Sequence, residues 1–335
     1  MNRRIATLLT AGILAGCGAT ETPEVKRTEL RGHVDTLDAL QVDLNGTNAS
    51  ADTSAATFLA QPLDTLSSSN SLTSSMIAQI RLVLTQGTAV NNAQGALLVT
   101  LDDGRDLSWK VVAEVGPNAA TFTMQVKPQA SADTAYVTIV SGQATKSQSS
   151  RQGSLSVDLD ALKTVDTSAH GQGQFFIAFV SDSASKRVCA HLAHFTFTAL
   201  HPPIDASLAV SVQMGSFETR VHFEYASAGL LGAKTATHEL RILPHVGGRG
   251  ELTVDAGTLG SVDSIGCWNG QSHTLYFNAK TCVFGSCADV SVQGNATECD
   301  SVLKMEEPLA VGQPGCQGLP PEPNGQPDGG LAALP

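Results

Sequence analysis

Several short runs carry residue types that could do chemistry, and most lack a partner that the chemistry requires. His238-Glu239-Leu240-Arg241-Ile242 begins as a zinc-protease helix begins, but it has Ile where the second histidine ligand must stand, and it lies in a strand pattern. Ser183-Ala184-Ser185-Lys186 has the spacing at which lysine can activate a serine nucleophile. The Ser-Asp-Asn and Lys-Thr-Gly partners of that chemistry are missing, so the run reads as a turn. The stretch from Gly229 to Thr235 approaches a phosphate loop, with Ala233 in place of the glycine that must precede the lysine. Cys189, His191 and His194 are close enough to suggest metal ligands, but on a strand residues 191 and 194 point to opposite faces. Asp102, Asp103 and Asp106 offer carboxylate oxygens of the kind Ca²⁺ takes. Gly104 between them makes a solvated hairpin turn the better reading. Neither a metal nor a cofactor is expected.

Trp268 is the candidate binding residue. In Cys267-Trp268-Asn269-Gly270 an Asn-Gly turn beside a cysteine would present the indole as an anchor for a protein or a glycan, against the plainer expectation that it packs on its own disulfide. With two Trp and three Tyr in the chain, a broad aromatic platform for polysaccharide is not on offer.

The cysteines point to a compartment. Of seven, one is set apart near the N-terminus at Cys17, and the other six are Cys189, Cys267, Cys282, Cys287, Cys299 and Cys316. Six can close as three disulfides, as an oxidising, extracytoplasmic location permits. The spacing of Cys282 and Cys287 is not the C-x2-C knuckle of zinc sites. Parity favours a bridge from Cys189 into the second half of the chain, while the connectivity of the six stays open.

Arg3 and Arg4 followed by an apolar run over 5–15 have the charge order and size of a secretory signal, and the run is too short to span a bilayer. It ends in Leu14-Ala15-Gly16-Cys17, which resembles the lipobox of bacterial lipoproteins. The resemblance covers only the first seventeen residues. It implies cleavage before Cys17, a diacylglyceryl thioether on its sulfur and acylation of the new N-terminus. Two or more acyl chains give stable anchoring where one gives only marginal binding. Gly18 follows, not the Asp that resembles an inner-membrane retention signal, so the expected address is the outer membrane.

Composition narrows the partners. The net charge is −11, and loss of Arg3 and Arg4 with the leader makes it −13. An acidic surface argues against nucleic acid, whose binding rests on phosphate neutralisation. At 15% charged and 42% hydrophobic the chain can bury a core. The expected function is a membrane-anchored binding or structural module of the envelope, not an enzyme. The alternative is an envelope hydrolase using loop carboxylates, since a carboxylate pair leaves little local signature.

The elements that would position these residues read as all-β, in tandem immunoglobulin-like β-sandwich domains after a short mixed N-terminal segment. The expected divisions are a signal over 1–16, a lipidated tether over 17–33, the mixed segment over 34–103, one sandwich over 104–201, a disulfide-rich second over 203–307, and a mobile tail over 308–335. Within the mixed segment, 34–44 suggests a strand, and 74–86 a short helix or a strand. Short runs rich in Val, Phe, Thr and Ile then recur between Gly, Ser, Asn and Pro, the spacing of a sandwich. Residues 151–166 and 248–263 match at seven of sixteen positions, which suggests a duplication. The tail holds seven prolines and six glycines.

Overall fold

The computed structural model describes residues 21–42, 53–104, 106–169, 171–196, 203–229 and 232–303. The leader with Cys17, and Cys316 with the Pro/Gly-rich tail, lie outside the described residues.

Helix α1 (Pro23–Thr36) starts where the sequence supplies a cap. The Thr22 hydroxyl accepts from the Val25 amide at 3.4 Å, Pro23 stands where no amide is needed, and Glu24 in the first turn pairs with Arg27 at 2.7 Å. Leu30, Val34 and Leu37 follow at helical spacing and are fully buried, and a 3-10 turn (Leu37–Leu40) continues the face. Most of the expected tether, and residues 34–40 of the strand expected over 34–44, are therefore helix and turn, while 43 and 44 lie outside the described residues. Helix α2 (Thr53–Gln86) is far longer than the short element expected near its end. It buries Phe58, Leu59, Leu66, Ile77, Ile80 and Leu84.

Fifteen strands follow. The first eight are β1 (Thr88–Asn91), β2 (Leu97–Asp102), β3 (Leu107–Val115), β4 (Ala119–Pro128), β5 (Val137–Lys146), β6 (Ser150–Asp158), β7 (Gln172–Asp182) and β8 (Ser185–Thr196), with α3 (Leu159–Val165) between β6 and β7. Then come β9 (Ile204–Gln213), β10 (Thr219–Gly229), β11 (Gly232–Leu243), β12 (Gly247–Asp255), β13 (Ser261–Asn269), β14 (Thr274–Val283) and β15 (Ser286–Gly294). They form one antiparallel sheet in chain order.

Helix α2 contacts β2 and β3 and also β11 to β14. Twelve strand spacings from β2 to β14 would cover about 58 Å on a flat sheet, more than the ~51 Å length of this 34-residue helix, so the sheet curves over it. The inner face is thus lined by α1, the 37–40 turn and α2, and one apolar cluster joins helices and sheet. The all-β class with a helical N-terminal segment holds. Hydrogen bonding nevertheless runs straight through the expected boundary between two sandwiches, since β8 pairs with β9 from Ser185↔Gln213 to Phe195↔Ile204. Alternation along a strand reveals that one face is buried, not whether a second sheet or a helix buries it.

The two alike segments fall on β6 and β12, each the fourth strand of its expected half. Gly153 and Gly250 take equivalent places there: a Cβ on Gly153 would meet Leu37 at 2.7 Å, and one on Gly250 would meet Phe58 at 2.8 Å. After Asp158 and Asp255 the correspondence ends, because Val165 closes α3 whereas Val262 lies on β13.

Candidate functional site

The chemical candidates come apart once strands assign their faces. His238 points inward, buried, with its Nδ1 donating to the Phe58 carbonyl at 3.1 Å, and burial pulls its pKa below the ordinary value against that bond. Glu239 points outward to His222, so the two residues that suggested a metal site stand on opposite faces. Lys186 donates to the Gln41 carbonyl at 2.5 Å, and burial lowers its pKa. Gly229 and Gly232 pair across the β10–β11 hairpin, which is not the strand-to-helix setting of a phosphate loop. Asp102 accepts from the Ser108 hydroxyl at 2.5 Å, and Asp103 from Trp109 Nε1 at 3.0 Å, so the acidic turn is engaged by its own hairpin. His194 sits beside Asp205 at a bulge, 3.3 Å away, and Cys189 is disulfide-bonded.

Trp268 is buried too, at 2% exposure. It faces inward, stacked on Phe58 at 6.2 Å and 20°, over Gly248. Its neighbour Cys267 faces the other way and bonds Cys299, so the indole packs on the core and not on its disulfide. As an exposed anchor for protein or glycan it is corrected.

The outer face of β10 to β12 carries an ion-pair lattice. Glu218 receives Arg220 Nε and Arg241 Nε, each at 2.8 Å. Burial works to raise its pKa, but the two guanidinium groups hold it below the ordinary value. His222 lies between Glu239, 2.5 Å from Nδ1, and Glu224, 3.1 Å from Nε2, the latter an ion pair without hydrogen-bond alignment. Burial disfavours its charge, yet the carboxylates prevail and raise its pKa. Glu224 and Glu239 thus flank an imidazole. A surface concavity lined by Asp106, Pro128, Gln129 and Ala130 has a single carboxylate, so it offers no acid–base pair.

The two edges of the sheet differ. Backbone groups along an edge are open to strand addition unless covered, charged or kept short. Strand β1 has four residues and is fenced by α1: Asn91 Nδ2 donates to the Glu21 carbonyl at 3.0 Å, Lys26 Nζ to that of Gly95 at 2.5 Å, and Arg27 to that of Gly87 at 3.1 Å. Strand β15 is the opposite case. It runs nine residues, has Asp289 as its one charge, contains no Pro or Lys, and leaves Val290 62% and Val292 58% exposed. The β14–β15 loop is Phe284-Gly285, both with positive φ (51° and 81°), the conformation of a tight hairpin turn. Positive φ is costly for a bulky residue, and the Cys282–Cys287 bridge at the base of the loop holds it. Phe284 consequently projects from a braced tip at 94% exposure.

Comparison of the chain with protein-family models, with curated proteins and with solved structures returns no match. The functional reading therefore rests on geometry.

Phe284, Val290 and Val292 escape sequence reasoning because apolar residues in a strand pattern read as core. The available signal was the hairpin Cys282-Val-Phe-Gly-Ser-Cys287, whose bridge would close on an aromatic tip. Among the described residues no helix is long and apolar enough to cross a membrane.

Proposed function

We propose that the protein is a lipid-anchored, extracytoplasmic binding module of the cell envelope, and that its partner is a protein contributing an extended, uncharged segment to the free edge of β15. The anchor rests on Leu14-Ala15-Gly16-Cys17 at the end of the apolar leader. The observation that carries the binding site is the long, almost uncharged edge strand beside Phe284, which is 94% exposed on a disulfide-braced turn. In strand addition, main-chain hydrogen bonds provide affinity and alternate side chains provide choice of partner. Val290, Val292 and Phe284 suit an apolar, neutral segment better than an acidic or basic one. A protein is favoured over a glycan because the buried Trp268 leaves no indole at the surface there.

Two experiments test this reading. Cys17→Ser should move the protein from the membrane fraction to the soluble envelope fraction or stop its maturation; unchanged partition and maturation would sink the anchor. A photo-crosslinking residue placed in turn at 284, 292 and the distant exposed Gln94 should give, in intact cells, one adduct of a single mass from the first two positions only. That adduct should disappear with Val290→Lys. Equal adducts from position 94, adducts indifferent to the lysine, or a mass equal to two copies of this chain would each overturn the proposed partner.

A further inference from the structure

An antiparallel sheet built in chain order sends its connections alternately to its two ends. Those after β1, β3, β5, β7, β9, β11 and β13 share one rim, and those after the even-numbered strands share the other, a strand length of roughly 30 Å away. The start of α1 belongs to the first rim. Asn91, at the end of β1, donates to the Glu21 carbonyl at 3.0 Å, and Lys26 Nζ donates to that of Gly95 in the β1–β2 turn at 2.5 Å. His33 Nε2 donates to the Gly116 carbonyl, in the β3–β4 turn, at 3.0 Å. Cys17 precedes Glu21 by four residues, which reach at most about 14 Å. Acyl chains on that cysteine would hold the first rim at the bilayer and leave the second standing away from it.

The charges of the two rims fit that orientation. The turns of the second rim carry Asp103, Asp106, Asp133, Asp160 and Asp166 against Lys163 alone among the described residues. Those of the first rim carry a single carboxylate, Glu218, which Arg220 and Arg241 clamp at 2.8 Å each. Beside them Lys146 and Arg151, register partners on β5 and β6, are exposed, and Asp182 accepts from the Ala184 and Ser185 amides. An anionic lipid surface repels the second rim and tolerates the first.

The first rim also presents apolar tips. Phe217 in the β9–β10 turn is 60% exposed at a φ of 54°, and Val246 in the β11–β12 turn is 46% exposed after His245 at a φ of 63°. A bulky residue pays for positive φ and keeps it only where its surroundings hold it. Here the Phe217 amide donates to the Gln213 carbonyl at 2.7 Å, and the clamped Glu218 follows directly. The two turns are two strand spacings apart, about 10 Å, so both side chains can meet one surface. Exposed apolar tips occur at both rims, so chain length and charge decide which rim meets lipid.

We propose that the rim carrying Phe217 and Val246 is the membrane-facing surface of the protein, and that these two side chains enter the interface of the bilayer that holds the acyl chains of Cys17. This rests on the lipid anchor of the proposed function and is independent of the β15 edge. Acyl chains fix attachment, while apolar side chains seated at the headgroup boundary fix orientation. Phe284, on the opposite rim, then points away from the bilayer towards a soluble partner.

The test uses the full-length lipidated protein in vesicles of phosphatidylethanolamine and phosphatidylglycerol, with and without bromine on the acyl chains. Bromine quenches a tryptophan that touches those chains. The emission added by Phe217→Trp to that of the two native tryptophans should be quenched at least about threefold more than that added by Phe284→Trp, with Val246→Trp behaving like Phe217→Trp. Circular dichroism of the three variants should match the parent. Equal quenching at 217 and 284, or quenching at 284 alone, overturns the proposal. Intact mass and flotation of the same samples separate the two readings. An unacylated chain that stays out of the vesicles removes the anchor and this orientation with it. An acylated, vesicle-bound chain without quenching at 217 removes the orientation and leaves the anchor standing.

Discussion

Phe58 and the glycines beneath it provide the most exacting test of how the helix sits in the sheet. Gly250 and Gly266 are cross-strand partners on β12 and β13, and a Cβ on them would lie 2.8 and 2.7 Å from the Phe58 ring. The ring is 1% exposed, stacks on Trp268 and meets Phe277 edge-on at 5.9 Å. Truncation by Phe58→Ala should cost about 3–5 kcal/mol, through lost transfer energy and an unfilled cavity. Gly250→Ala should cost about 1–3 kcal/mol, because an aromatic ring packed on both sides cannot move aside as a flexible side-chain end would. Gly250 has no positive φ, so the backbone itself tolerates alanine. In the double variant the methyl enters space that the ring has vacated. The two costs should then fall short of their sum by about 1–3 kcal/mol, well beyond the ~0.5 kcal/mol scatter of independent sites. Urea denaturation with linear extrapolation measures all four corners of the cycle. Gly153→Ala, whose methyl would meet Leu37 instead, is the control and should be additive with Phe58→Ala. Additivity of the Gly250 pair would refute the close packing of ring on glycine.

Other consequences follow from the outer face and the bridges. His222 has a raised pKa from its ordinary 6.5, so its ion pairs stabilise the fold fully below pH 6.5 and lose that contribution as pH rises through the folded pKa. The stability difference between the parent and His222→Gln should therefore shrink from pH 6 to about pH 9 in urea titrations; a difference that grows would reverse the assignment. Glu218 has a lowered pKa, so its contribution is present above the ordinary carboxylate range and is lost as pH falls through the folded value. Glu218→Gln should accordingly flatten the acid limb of the stability profile. In the chain-entropy model, the Cys267–Cys299 bridge, separation 32, is worth about 4 kcal/mol and the Cys282–Cys287 bridge, separation 5, about 2 kcal/mol. The serine pair at 267 and 299 should thus lower the urea midpoint further than the pair at 282 and 287; the opposite order would contradict the loop-length argument.

Strands were legible because they alternate. Leu107–Val115 and Gln172–Asp182, for instance, coincide closely with runs of Val, Phe and Ile between turn residues. Helix α2 was not, except for its last turns. Its middle is Ser, Thr and Asn, which compete for backbone hydrogen bonds and favour turns, and Pro62 lies inside it. Burial against the curved sheet overrides that preference, even leaving the Ser69 and Thr73 hydroxyls buried without a protein partner. The site was misread for a related reason. Trp268 looked like a surface anchor because an Asn-Gly turn adjoins it, but a strand residue one position from an outward cysteine must face inward. Phe284 was passed over as an ordinary apolar residue, although its placement between two cysteines five apart forces it to a loop tip.

The distribution of surfaces is the reason that the proposed binding site is placed at a margin of this sheet. An open sheet has two faces and two edges through which it can meet a partner. Here the inner face is filled by α1 and α2, in one core running from Leu30 to Trp268. The outer face of β10 to β12 is knitted by Glu218, His222, Glu239 and three arginines, groups whose desolvation is offset only while they pair with one another. A partner approaching that face would have to break those pairs. Edge β1 is short and fenced by Lys26 and Arg27 of α1 and by the Glu21 carbonyl before it. Among the described residues, edge β15 is the one of these surfaces that pairs on one side only and presents exposed valines. Strand addition there continues the antiparallel ladder by the same rule that builds β1 to β15, and the Cys282–Cys287 brace fixes β15 in register before a partner arrives. A preorganised edge avoids part of the ordering entropy that association otherwise costs. If that is why the brace exists, opening it with serines should weaken adduct formation from position 292 more than the loss of stability alone would, at a temperature where both proteins are fully folded.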